Sequence, residues 1–261
     1  ITFLIGEYMY QENFFIPPGD NGDSIKVNIH QRTEELYRIQ NQIPDNDGLI
    51  TAPVIFLDDP IVFPRMISPI YIKEEESLKA IFSAQSDNRT VIALLESFDE
   101  NEDQNGQSYL PIGVELAVGR LIELQDGKYT ALVQSRRRVE LKELVAADKI
   151  TYVKAIEVID QYRPSKRVEA LMRSVRDLFK SCVEMDGSLP EESYTYSLNI
   201  SDPGWLSDMI TTILSLPKEQ RQELLVNTDP ISRLKRLNSL LADELSVLEL
   251  EDEIQAQVQT E

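Results

Sequence analysis

The spacing of apolar residues divides the chain into two dissimilar halves. Between residues 50 and 160 the apolar runs are short and broken by turn residues, whereas beyond residue 165 they recur at intervals of three and four. The first pattern predicts strands and the second helices, because side chains alternate across a strand but return to one face of a helix every third or fourth position. Residues 53–57, 70–72, 89–96, 109–124, 129–133, 138–144 and 150–159 read as strands. Residues 74–85 read as a helix, acidic in its first turn and with Leu78, Ile81 and Phe82 inward. Asp126-Gly127 supplies the positive backbone angles of a two-residue hairpin turn. About six short strands with one helix predict a small closed or nearly closed β-structure.

Residues 61–69 fit neither pattern. Pro60, Pro64 and Pro69 surround bulky apolar side chains, and proline removes a ladder donor, so the segment cannot be a central strand. Two readings stay open: burial beneath the helix at 74–85, or an exposed patch of Phe63, Met66 and Ile67 that binds a partner.

In the second half, residues 166–185 place Leu171, Val175, Leu178, Cys182 and Met185 on one helical face. Asp202-Pro203 starts a helix with Trp205, Leu206, Met209, Ile210, Ile213 and Leu214 inward, and residues 193–198 form the one further strand candidate. Two more helices follow Leu216. The last begins at Asp229-Pro230 and repeats Ile231, Leu234, Leu237, Leu241, Leu245 and Leu248 without a Gly or Pro stop. Fully helical, residues 230–261 would span about 48 Å at roughly 1.5 Å per residue. Such a helix is expected to continue into a further part of a longer protein. Residues 1–50, with an aromatic opening, a Pro-Pro-Gly break and a short helical pattern near 32–42, read as an extension packed on the rest or mobile.

A net charge of -19 argues against nucleic acid as a partner, since phosphate binding needs a concentrated basic surface. The only basic run, Arg136-Arg137-Arg138, reads as the solvated side of a strand. One cysteine, Cys182, permits no intrachain disulfide and suits a cytoplasmic setting, and no apolar run reaches the length of a membrane span. Residues 113–120 approach a P-loop but lack its lysine and hydroxyl, and Asp58-Asp59 reads as a turn before Pro60. His30 and Cys182 suffice neither for a metal site nor for a nucleophile and base, so no catalytic, cofactor or metal residue is assigned.

Three ordered blocks carry a resemblance. Val54-Ile-Phe-Leu-Asp-Asp-Pro-Ile-Val-Phe-Pro-Arg-Met-Ile-Ser-Pro-Ile70 resembles the opening of the Lon protease N-terminal domain. Ile112-Gly-Val-Glu-Leu-Ala-Val-Gly-Arg-Leu, with the Asp126-Gly127 turn and Arg138-Val139-Glu140-Leu141, is similar to its next stretch. Leu216-Pro217 through Arg233-Leu234 and Glu244-Leu-Ser-Val-Leu-Glu-Leu is similar to its helical end.

The resemblance implies an α+β chain. It implies a β-rich, PUA-like subdomain at 51–162 and a helical bundle at 163–261 that ends in a long connector helix, while residues 1–50, read above as an extension, match nothing in the family. It also implies the non-catalytic N-terminal region of an ATP-dependent Lon-type serine protease. Such a region recognises unfolded or damaged proteins and supports a hexamer, with ATP and Mg required only by an ATPase module outside this chain. On this reading Phe63, Met66 and Ile67 contact substrate, and Leu245, Leu248 and Leu250 contact other subunits. A free-standing Lon-domain adaptor or ligand-binding protein is the alternative. Two departures stand out: Asp58 where the family often has Arg, and Arg65 where it usually has Gly, a side chain that resists positive φ.

Overall fold

The computed structural model describes residues 35–58, 61–96, 109–125, 127–147 and 149–258. The expectations for residues 1–34, including His30, for Asp59-Pro60, and for the acidic loop at 97–108 fall outside that set, as does Asp126. Strands β1 (Leu49–Leu57) and β2 (Ile67–Ile72) are followed by helix α1 (Glu75–Ser86) and then by β3 (Val91–Leu95), β4 (Ile112–Val118) and β5 (Ile122–Glu123). Next come β6 (Tyr129–Ala147) and β7 (Ile150–Val158), and the rest is helical. Its elements are α2 (Lys166–Met185), α3 (Glu192–Ser197), α4 (Pro203–Ile213), α5 (Lys218–Val226) and α6 (Pro230–Val258). The α+β class and the order of strands before helices agree with the sequence pattern.

The sheet closes through β6. It runs β6–β4–β3–β1–β7 and returns to β6, which pairs with both β4 and β7. β1 and β3 are parallel, the other pairs antiparallel. The sequence suggests separate strands at 129–133 and 138–144, but these are one 19-residue strand. Register shifts opposite Val114/Leu116 and at Leu141/Glu143 let it bend, as bulges do, so that its first part serves β2, β5 and β4 and its second part β7. β2, which contains Pro69, pairs only with β6 and is therefore an edge strand. Gly127 takes φ +77 in the turn between β5 and β6.

Alternate residues of β1 and β3 separate onto two apolar clusters. Ile50, Ala52, Val54, Ile92 and Leu94 join Val139 and Val153 on one side. Ile55, Leu57, Val91, Ala93 and Leu95 face the other, in a cluster that continues without a break through Phe63 and Ile81 to Phe179, Met209 and Leu237 of the helices. The two halves thus share a core.

Capping residues set the helix starts. Ser165 Oγ accepts the Val168 amide, Asp202 Oδ1 accepts the Trp205 amide at 2.7 Å, and Asp229 Oδ1 accepts the Ile231 amide at 3.0 Å. Three sequence expectations are corrected. In α2 the buried face is Met172, Val175, Phe179, Cys182 and Val183, one step round from the predicted stripe, leaving Met185 exposed. In α1 small Ser77, Ala80 and Ala84 pack with Ile81 against the sheet, and Phe82 points outward. Residues 193–198 are helical through Ser197 rather than a strand.

Candidate functional site

A charged cluster lies in the interior where sheet and helices meet. Arg138 of β6 donates from both terminal nitrogens to Asp208 of α4, at 2.6 and 2.8 Å, and from Nε to Leu225 O at 3.0 Å. Arg233 of α6 donates to Asp160 after β7 at 2.6 and 3.2 Å and to Asn227 O at 2.8 Å. Its Nε lies 3.2 Å from Asp208 Oδ1 without hydrogen-bond alignment, a Coulombic contact that links the two pairs. Burial works against a charged Arg138, but the attraction and hydrogen bonds of Asp208 outweigh it and raise its pKa further. At Gly204, a Cβ would overlap the Asp160 carboxylate and lie 2.7 Å from Arg233 Nη2. This ionic joint fixes the helices against the sheet.

A second cluster holds the chain that leads into β1. Glu115 of β4, fully buried, accepts from Thr90 Oγ1, from the Gln42 amide at 2.7 Å and from Arg137 Nε at 2.5 Å. Arg137 also pairs with Glu157 and donates to Gln42 O at 2.9 Å, while Arg136 reaches Leu36 O at 2.8 Å and Ile39 O at 3.3 Å. Residues 36–42 are therefore clamped to the sheet. The basic run that the sequence presents as solvated is instead three internal anchors, because each guanidinium finds carbonyl or carboxylate partners inside.

The proposed capture patch is not a surface. Phe63 is 0% and Met66 5% exposed, and Ile67 is half-buried. Ser135 Oγ donates to Phe63 O and accepts the Met66 amide at 3.0 Å, tying the segment down, and Arg138 lies over the Phe63 ring at 5.9 Å. Large apolar groups beside rigid prolines here fill the core. Arg65 departs from expectation in the other direction: it adopts φ 64, with its amide on Ser135 O at 3.0 Å and its guanidinium 5.5 Å from the Trp205 ring centre.

Of the three leucines offered for subunit contacts, Leu245 and Leu248 pack partly on the chain's own core. Leu250 is 57% exposed, on a face shared with Val247 and Ile254. Asp58 pairs with Lys218 of α5, whose hydrogen bond and charge hold the carboxyl below its ordinary range. Cys182 is buried, and burial pushes its thiol up to about 11, unsuited to nucleophilic work. Among the described residues no cluster of His, Cys, Asp and Glu is arranged to hold a metal ion, and no helix is long and apolar enough to cross a membrane.

Residues 51–243 match the family model of the ATP-dependent protease La (LON) substrate-binding domain. Lon protease 2 of Herpetosiphon aurantiacus is 33% identical over 214 residues, 81% of this chain and 26% of that protein. Lon protease 1 of Myxococcus xanthus is 31% identical over 80% of this chain and 26% of its own length. The chain thus spans about a quarter of these relatives. In fold it is similar to the N-terminal domain of the Mycobacterium avium complex Lon protease, with a TM-score of 0.62 at 22% identity, over 75% of this chain and 98% of that one.

Proposed function

The chain belongs to the family of ATP-dependent protease La (Lon) substrate-binding domains, and on that premise we propose that it binds unfolded or damaged polypeptides for a Lon-type protease of the cytoplasm. The family match over residues 51–243 carries this reading. The shared core and the ionic joint support it, because a binding surface is better defined when its two supporting halves cannot rotate. In this reading the chain itself is not catalytic and needs no cofactor. ATP and Mg serve an ATPase module, a Ser-Lys pair in another module cuts the peptide bond, and six copies gather in the working enzyme. Leu250, with Val247 and Ile254 beside it, is the part of α6 available for contacts between subunits.

Binding is tested with one polypeptide in two states: a small disulfide protein, folded, and the same protein reduced and carboxymethylated. Fluorescence anisotropy with the labelled forms is expected to show saturable binding of the unfolded form alone. Equal binding of both forms, or of neither, would overturn the proposal.

A further inference from the structure

Two helices of the second half each turn a second face outward. On α2 an open groove of about 410 Å³ is lined by Ala170, Arg173, Ser174, Asp177, Leu178 and Ser181. These residues lie about 160° round the helix from buried Met172, Val175, Phe179 and Cys182, at roughly 100° per residue. Small side chains at 170, 174 and 181 form its floor. Lys166, Arg167 and Arg173, all exposed and without an ion pair among the described residues, flank its first half, and Asp177 and Glu184 stand toward the other end. Lys166 and Arg167 occupy the first turn of α2, where Glu169 is the one acid. The helix dipole disfavours cations there, so the folding of α2 gains nothing from them.

The complement lies on α6. Leu234, Leu237 and Leu241 are buried, and Leu245 and Leu248 pack partly on the same core. Val247, Leu250 and Ile254 are 52%, 57% and 52% exposed and form a separate strip about 150° round the helix. Glu251 and Glu253 flank this strip, and between Leu237 and Val258 there are six Asp or Glu and no Lys or Arg. Large apolar side chains with acidic margins fit a slot that has a floor of small residues and basic margins.

One copy cannot make this contact with itself. α6 is a single 29-residue helix. Its Leu241 carbonyl lies on buried Cys182 of α2, and its Asn238 accepts from Ser174 at the edge of the groove. Residues 247–254 therefore run on past α2 and cannot return to its outer face. We propose that this part of α6 seats in the α2 groove of a second copy of the chain. Val247, Leu250 and Ile254 lie over Ala170 and Ser174, while Glu251 and Glu253 face Lys166, Arg167 and Arg173. The proposal rests on the reading above that copies gather, and names the surface that receives Leu250.

Sedimentation velocity over a range of protein concentrations tests it. The parent chain is expected to show a coefficient that rises with concentration. Two variants each remove one half of the contact: Val247→Gln with Leu250→Gln on α6, and Ala170→Gln with Arg173→Gln on α2. All four positions are exposed and Gln is a good helix former, so both variants should melt as the parent does. Each alone should self-associate at least about tenfold more weakly. Mixed in equal amounts they should recover a heavier species, because each still carries the half that the other lacks.

A parent that stays monomeric at every concentration overturns the proposal. So does an α2 variant that associates as the parent does, which would mean that α6 ends pair with each other, and so does a mixture that stays as light as its components. Binding of the carboxymethylated protein, measured on the same three chains, keeps these outcomes apart from the polypeptide-binding reading: that reading stands if all three bind it equally and falls if none does.

Discussion

Arg137 and Arg138 are adjacent in β6, yet the networks they organise differ in depth and in reach. The Arg138 network is dry: the Arg138, Asp208 and Arg233 side chains are 2%, 4% and 0% exposed. The Arg137 network opens toward solvent, with Arg137 18% and Glu157 37% exposed around a fully buried Glu115. The first joins β6, the end of β7, α4 and α6, while the second secures one strip of chain onto the sheet. Buried ion pairs are seldom worth more than well-packed apolar groups, but losing one partner strands a charge at large cost. Ionic contacts at the first site therefore specify geometry. They allow one orientation of helices on sheet, which a greasy interface of the same area would fix less sharply.

The largest effect should follow from removing the shared acid of the joint. Asp208→Ala leaves Arg138 and Arg233 buried with one anion, Asp160, between them, and should cost about 3–5 kcal/mol in urea unfolding. A cost below about 1 kcal/mol would show that the joint is wetter or softer than its burial implies. Gly204→Ala attacks the same network without touching a charge. Its methyl displaces the Asp160 carboxylate, which is 21% exposed and can swing outward, so the expected loss is smaller, about 2–3 kcal/mol. Asp160→Asn combined with Gly204→Ala should then cost less than the sum of the two, because the mutated groups share one contact.

What the sequence allows one to read follows the same division between pattern and partnership. Strands, helices and caps were legible because alternation, 3.6-residue periodicity and Asp-Pro starts act locally, and the resemblance in three blocks pointed to the right family. The joint was not legible. Arg138 looks like the polar side of a strand until α4 covers it, and Arg233 looks like a solvated position until Asp160 and Asp208, each far away in the chain, meet it. A faint signal did exist: Arg233 lies next to Leu234 on the face of α6 that the periodicity points inward. Phe63 and Met66 misled for the converse reason. Their segment is barred from the sheet interior by proline, but a loop can still be driven into a core when Ser135 satisfies its carbonyls and amides. The clamp was missed because the basic run was weighed as charge, whereas three different environments take up its three side chains.

At the clamp, Glu115→Gln keeps an acceptor for Thr90 and Gln42 but removes the charge facing Arg137. A loss of about 1.5 kcal/mol is expected, in line with a charged hydrogen bond made neutral while Glu157 remains. The effect should be local. Hydrogen exchange should speed up at residues 36–42 and leave α4 and α6 unchanged, whereas Asp208→Ala should loosen both halves together. If Glu115→Gln loosened the helices as well, the two networks would have to be treated as one.

The mildest test uses an exposed pair that does the same linking work as the joint. Asp58 at the end of β1 meets Lys218 of α5, with Asp58 64% and Lys218 21% exposed. Water screens such a pair, so Asp58→Asn should cost only about 0.2–1 kcal/mol at neutral pH and low salt, and less in 1 M salt. The pH dependence has a definite sign. Lys218, through its hydrogen bond and then its charge, lowers the Asp58 pKa in the folded chain, so the folded state holds this proton less tightly than the unfolded one. The contribution is therefore complete above the unfolded carboxylate range and disappears as pH falls through the lower folded value. Urea midpoints of parent and Asp58→Asn should differ slightly at pH 7 and converge as pH falls through the lowered folded value. A gap that persists at low pH would mean that Asp58 acts as a packed spacer between β1 and α5 rather than as a charge, and the depth of burial would then no longer separate the two kinds of link.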